Sequence, residues 1–352
     1  MTVSSEAHAL CRSADLIDLH VDTFIPMRLF GYDPFRHHRG PGWLFGQWDL
    51  PRAAASGLDG AMWSITTNPF RTAAGRWRTL EANLRRLADF AARSEGRLRV
   101  ARDVAEYRAA RAAGAHAVIP AIQGGNALDH RLDDVGRLPE PGLARVTLVH
   151  LTPCRAGAPS YPLHVLQRRK GLTAHGRRLV EVLNAARIFV DLAHLHARGI
   201  DDVLDVHDRS LPLMASHTGV GGAHPLWRNP SDAHVRAIAD SGGVVGIITA
   251  SLYLGRRRGR SGAQRFVDHV ERVIRVGGED TPAIGTDFDG FILPFAEVGG
   301  AHAYPRMVEE MLRRGWTEGR VRKVMGGNFL RAWSDLRSPR PEAGPDVLPS
   351  GP

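Results

Sequence analysis

Eight short runs rich in Val, Ile and Leu, over residues 15–22, 59–66, 117–124, 145–151, 188–195, 211–217, 243–250 and 283–290, alternate with stretches of helical periodicity. Repetition of that β-α unit is what a parallel sheet with helical crossovers requires, and eight strands are enough to close it on itself. The expected fold class is therefore α/β, a (β/α)8 barrel. Its helices are legible as well. Leu80, Leu84, Leu87 and Ala91 make one apolar stripe in an arginine-rich stretch, and Leu179, Val182, Leu183 and Ala186 make a second in a helix over about 173–186. Thr317 is placed to cap a helix that carries Val321, Val324, Met325, Phe329 and Trp333. At 352 residues and 43% hydrophobic, the chain can bury one large core over 1–336, while 337–352, rich in Pro, Gly and Ser, reads as a flexible tail.

A closed parallel barrel gathers the C-terminal ends of its strands at one face, so residues far apart in sequence meet there. These runs end in metal-binding chemistry. In Asp18-Leu19-His20-Val21-Asp22 the spacing puts His20 and Asp22 on one side of a strand. A His-x-Asp triplet is common by itself, but later runs end in His194, His217 and Asp287, with Gln123 and His150 at two more ends. Four imidazoles and two aspartates converging on one rim read as a divalent-metal site. Cys11 and Cys154 form neither a disulfide framework nor a Cys-x-x-Cys pair, which leaves His and carboxylate as the ligands. The aromatic segment 31–48 falls on the same rim, either lining a substrate pocket or packing as a lid.

The net charge of +9 does not point to nucleic acid. It is almost all arginine, with Lys170 and Lys323 the only lysines, and apart from Arg256-Arg257-Arg258 the arginines are scattered. No apolar run approaches the roughly 18–20 residues of a membrane span. Residues 1–14 lack a basic-then-apolar signal, so a cytoplasmic location is expected.

Further motifs appear in order along the chain: Asp49-Leu50-Pro51-Arg52, Met62-Trp63-Ser64, Gln123-Gly124-Gly125, Thr147-Leu148-Val149-His150-Leu151-Thr152, Asp191-Leu192-Ala193-His194, Ser216-His217, Arg228-Asn229, Gly285-Thr286-Asp287-Phe288-Asp289-Gly290 and Gly327-Asn328-Phe329-Leu330-Arg331. Together with the first strand they resemble the membrane (renal) dipeptidases, peptidase family M19, from about Asp15 to Trp333. The resemblance implies that His20 and Asp22 bind one zinc and His194 and His217 a second. It also implies that His150 polarises the scissile carbonyl or stabilises the oxyanion, that Asp287 handles the proton of the attacking water, and that Arg228, with Asn229 beside it, grips a substrate carboxylate. A small-molecule substrate and a homodimer are implied in the same way.

The chain departs from the family at the carboxylate expected to bridge the two metals. Where the family has Glu-Gly-Gly it has Gln123-Gly124-Gly125. A neutral amide is a poor bridge between two dications roughly 3.5–4 Å apart, so one tightly held zinc per chain is expected, with Gln123 a weak or lost ligand. The segment Thr152 to Gly157 and the stretch near Ile248-Thr249-Ala250 depart as well. The leading expectation is hydrolysis of a dipeptide or small carboxylate-bearing amide. The alternatives are a repurposed mononuclear-metal enzyme acting on a non-peptide intermediate, and a non-catalytic homologue.

Overall fold

The computed structural model describes residues 2–38, 44–138, 142–162, 170–256 and 259–338, apart from the side chains of residues 136 and 137. Most of the expected tail, part of the arginine run and Trp43 lie outside these residues. Nine parallel strands form the sheet: β1 (Ile17–Val21), β2 (Gly60–Thr66), β3 (Leu98–Val100), β4 (His116–Gln123), β5 (Arg145–Thr147), β6 (Phe189–Asp191), β7 (Met214–Thr218), β8 (Val244–Ile247) and β9 (Pro282–Ile284). Strand β1 pairs with both β2 and β9, and β2 pairs with β4 from Gly60↔Ala117 to Thr66↔Gln123. Eight strands therefore close the expected barrel. The ninth, β3, pairs with the start of β4, beside the stretch that β5 does not reach. Three residues are too few to display an alternating pattern, which is why β3 has no signature in the sequence.

Several strands end sooner than their apolar runs. After β6 and β9 the chain turns through His194 (φ 66°) and Asp287 (φ 63°), non-glycine residues in the left-handed region. Such backbone is costly unless the surroundings hold it, and it concentrates at functional sites.

The barrel interior is layered. Met62, Ile119, Phe189 and Met214 cluster with Phe329 and Trp333 in one layer. Two residues further along their strands come Ser64, Asp191 and Ser216, and four beyond Ile119 comes Gln123. Because side chains repeat every second residue along a strand, these face the same way, and they begin a polar layer. A barrel core is ordinarily filled by branched aliphatic residues. Here Arg145 is fully buried among these polar groups.

The first expected stripe is buried, Leu80, Leu84, Leu87 and Ala91 lying inward in the helix Ala73–Ala92; in the second, Thr173 caps the helix Ala174–Ala185 and Leu179 and Leu183 are buried, but Val182 and Ala186 are only half-buried and Val180 takes an inward place. Thr317 caps Glu318–Arg322, but the helix then passes through a π turn at Lys323–Gly327 before continuing as Asn328–Arg337. At that turn Gly326 lies so close to the chain at Asp15 that a β-carbon would fall 2.5 Å from its carbonyl oxygen.

Candidate metal centre

The strand ends bring His20, Asp22, Gln123, His150, His194, His217 and Asp287 to one rim. His20 Nε2 lies 3.5 Å from an oxygen of Asp22 and 3.5 Å from an oxygen of Asp287. The His20 and His217 rings are 3.8 Å apart between centroids, and His194 Nε2 approaches His217 Nε2 to 2.9 Å. The His150 ring stands edge-on to His194 at 4.7 Å. One ligand atom from each of His20, His217 and Asp287 can be chosen so that all lie within 4.8 Å of one another. Both pairs implied by the resemblance are brought together, His20 with Asp22 and His194 with His217, and the two pairs share one cluster in which His20 also meets His217 and Asp287, while His194 lies between His217 and Gln123.

This set fits a divalent cation. His20 Nε2, Asp22 Oδ1 and Gln123 Oε1 are buried without any hydrogen-bond partner. Buried polar atoms are paired almost everywhere in proteins, so three orphans converging with a close pair of ring nitrogens call for an electrophile. Burial presses His20, His194 and His217 well below the ordinary imidazole value, and His150 down to about 4. The neutral imidazole is the form that ligates a metal. Burial also raises Asp22 to about 7, and burial with the Asp22 charge beside it raises Asp287 well above the carboxylate range. A bound dication reverses that pressure on the carboxylates.

Beneath the imidazoles lies a network with no assigned role in the sequence. Arg145 Nη1 donates to Asp191 at 2.5 Å, Thr147 Oγ1 at 2.6 Å and Ser216 Oγ at 3.2 Å, and its Nη2 donates to Ser64 Oγ at 2.5 Å. Ser216 Oγ is 2.8 Å from His217 Nδ1, and Ser64 Oγ is 3.3 Å from His20 Nδ1. Nη2 also approaches His20 Nδ1 to 3.1 Å. With Nδ1–H of His20 donating to Ser64 Oγ, the Nε2 lone pair faces the site, the arrangement a metal ligand needs from its outer partners. Burial alone would raise the Asp191 carboxyl, but Arg145 with Thr147 and Ser216 holds it below its ordinary value. The signal available in sequence was parity: Ser64, Arg145, Thr147, Asp191 and Ser216 are inward positions, and all but Arg145 lie in the motifs along the chain. An arginine opening a three-residue strand looks like a polar strand start.

Gln123 is 3% exposed and its amide nitrogen sits 3.2 Å from His194 Nε2. Gly124 follows at φ 107°, a conformation reserved for glycine, and turns the chain away from the site. Arg228 and Asn229 stand behind the site and are not among the cavity-lining side chains. Arg228 is 6% exposed, donates to the His217 carbonyl at 3.2 Å and leaves its Nε unpartnered, with its guanidinium 5.6 Å from the ring centre of Tyr253. Asn229 Nδ2 donates to the carbonyls of His224 and Tyr253 at 2.9 Å each, fastening neighbouring loops together. The cavity in front encloses about 1000 Å³ and is lined by Asp22, Gln123, His150, His194, Tyr253 and Asp287 together with an apolar collar. No helix among the described residues is long and apolar enough to cross a membrane.

The sequence model of the membrane dipeptidase family, peptidase family M19, matches residues 4–342. An uncharacterized protein in the pqqA 5' region of Klebsiella pneumoniae is 30% identical over 259 residues, 71% of this chain and 93% of that protein. Mouse dipeptidase 3 is 26% identical over 227 residues, 62% of this chain, although the match spans only 44% of the mouse protein. Among solved structures, dipeptidase AC, a metallopeptidase of family M19, is 27% identical with a TM-score of 0.81, covering 92% of this chain and 99% of that one. A metallopeptidase from Rhodobacter sphaeroides, liganded with a phosphinate mimic of the dipeptide L-Ala-D-Ala, is 26% identical with a TM-score of 0.78 over 92% and 99% of the two chains.

Proposed function

Because this chain belongs to the membrane dipeptidase family, peptidase family M19, and is a metal-dependent dipeptidase-like hydrolase, we propose that it hydrolyses a carboxylate-bearing amide around one tightly held zinc. The observation that carries this reading is the convergence of unpartnered His20 Nε2 and Asp22 Oδ1 on His217 and Asp287, beside the close His194–His217 pair. His20, Asp22, His194 and His217 would hold the metal, with Asp287 within reach of it. A bound zinc supplies Lewis acidity and lowers the pKa of water towards neutrality. His150, at the cavity wall, donates a hydrogen bond to the carbonyl oxygen as negative charge develops there. Asp287 accepts the proton of the attacking water and passes it to the leaving amine. Arg228 is the cation assigned to the substrate carboxylate: it stands behind the cavity wall at Tyr253 with its Nε unpartnered, and a charge-assisted bond to it requires the carboxylate to pass that ring.

The stoichiometry follows from Gln123. With a neutral amide where the bridge would be, elemental analysis of the dialysed protein should find about one zinc per chain. Two zincs per chain surviving dialysis would overturn the mononuclear reading. The same site acting on a non-peptide amide is favoured by the changed lining at Thr152, Cys154 and Ala250; turnover of simple dipeptides at rates matching those of the best substrate would exclude it.

The Arg228 assignment has its own test. Removing a hydrogen bond to a charged group costs about 1.5–3 kcal/mol, so Arg228→Ala should raise KM roughly 10- to 150-fold for free-acid substrates. The amidated version of the same substrate should be little affected. Equal losses on acid and amide would remove Arg228 from carboxylate recognition.

A further inference from the structure

Among the described residues, most of the large apolar side chains left exposed are gathered in one place, Phe70 and Leu44 lying outside the cavity lining. Leu29, Leu151, Leu252, Phe291 and Leu293 are 44–64% exposed, and all five line the cavity in front of His150 and His194. Phe30, 65% exposed, joins them through Phe45, whose ring is 5.2 Å from Phe30 and 4.4 Å from Phe291. The collar is held in place from below. Gln47 donates its backbone N–H to Asp289 at 2.8 Å and accepts the Asp289 N–H at 2.9 Å, which ties the aromatic loop to the loop that carries Phe291. Scattered exposed hydrophobics need no explanation, but a contiguous patch opening into a cavity marks what the cavity binds.

The lining carries charge as well as apolar surface. Arg28 and Arg256 are its cations, while its carboxylates, Asp22 and Asp287, sit at the metal-binding end. At about 1000 Å³ the cavity reaches the top of the range that encloses drug-sized ligands, roughly 300–1000 Å³. A dipeptide of two small residues would fill a minor part of that volume. A second copy of this chain seated on the collar would close the mouth of the reactive site, so the patch suits a ligand that continues outward from the scissile bond.

We propose that the substrate is an N-acyl amino acid or a closely related amide with a long apolar acyl group, its acyl chain lying along Leu151, Leu252, Phe291 and Leu293. This deepens the reading of the site as an amide hydrolase and rests on it. The reaction adds one water: the acyl C–N bond breaks, a C–O bond forms, and the proton from water leaves with the amine, giving a fatty carboxylate and a free amino acid.

Binding and turnover are measured separately on the zinc-loaded full chain. Calorimetry with N-acetyl-, N-hexanoyl- and N-decanoyl-glycine should show Kd falling about twofold to fourfold per added methylene, as burial of each CH2 in a half-open collar implies. In the double variant Leu252→Ser/Phe291→Ser that slope should flatten, with thermal melting reporting that the fold is kept. Equal Kd across the series, or an unchanged slope in the double variant, overturns the proposal. So does a flat slope accompanied by a shift from dimer to monomer in sedimentation, which would make the collar a self-association surface. Cleavage of short dipeptides without chain-length-dependent binding defeats this inference and leaves the hydrolase reading intact. Chain-length-dependent binding without cleavage of any amide supports the ligand class and defeats the hydrolase reading.

Discussion

Gln123→Glu should raise the zinc content from about one to about two per chain. The two side chains are nearly equal in shape, so the substitution adds a negative charge at a position 3% exposed with almost no steric cost. Without metal that charge is buried beside an Oε1 position that has no hydrogen-bond donor, and burying an unpaired carboxylate is expensive. The metal-free variant should therefore melt below the metal-free parent. Added zinc should reverse the order, since a ligand held 1,000-fold above its Kd stabilises by about 4 kcal/mol. Dipeptide turnover should remain feeble, because the cavity wall at Thr152, Cys154 and Ala250 still positions a different substrate and a displacement of about 1 Å can cost about 100-fold in rate. One zinc in the variant would remove Gln123 from the explanation of stoichiometry. Brisk dipeptide hydrolysis by the variant alone would identify a lapsed dipeptidase.

Arg145→Met should be the most damaging substitution in the barrel interior. The guanidinium is fully buried and holds Asp191, Thr147, Ser216 and Ser64 at once. Deleting it leaves the Asp191 carboxylate without a counterion, a loss of about 3–5 kcal/mol for a broken buried pair. Denaturant titration of the metal-free protein reads this directly. The pH dependence has a definite sign. In the parent, Asp191 is held below its ordinary value, so its contribution is present above the unfolded pKa and fades only as pH falls through the lower folded value. Without Arg145 burial dominates and raises that carboxyl, so the folded variant takes up the extra proton and its deficit narrows as pH falls towards 5. The double variant Arg145→Met/Asp191→Asn should recover much of the stability, because the uncompensated charge is gone. It should still bind zinc weakly, since Ser64 and Ser216, which orient His20 and His217, lose the groups that hold them. A single variant as stable as the parent from pH 5 to 8 would contradict this account.

The sequence by itself determined the barrel and the metal-binding rim. Period-2 apolar runs alternating with period-3.6 stripes admit few topologies, and a closed parallel sheet forces every strand end to one face, so His20, His150, His194, His217 and Asp287 could be placed together from order alone. What it left open depends on distances that no spacing encodes. Strand β3 is too short for a pattern. The π turn at Lys323–Gly327 answers to the close approach of Asp15, a contact across more than 300 residues. The grouping of His20 with His217 and Asp287 depends on left-handed turns at His194 and Asp287, which β-run patterns do not announce. Arg145 is the clearest instance. In sequence it is one arginine among many, and only closure of the barrel, which removes it from water and encircles it with Asp191, Thr147, Ser216 and Ser64, makes it the charge on which the polar interior depends.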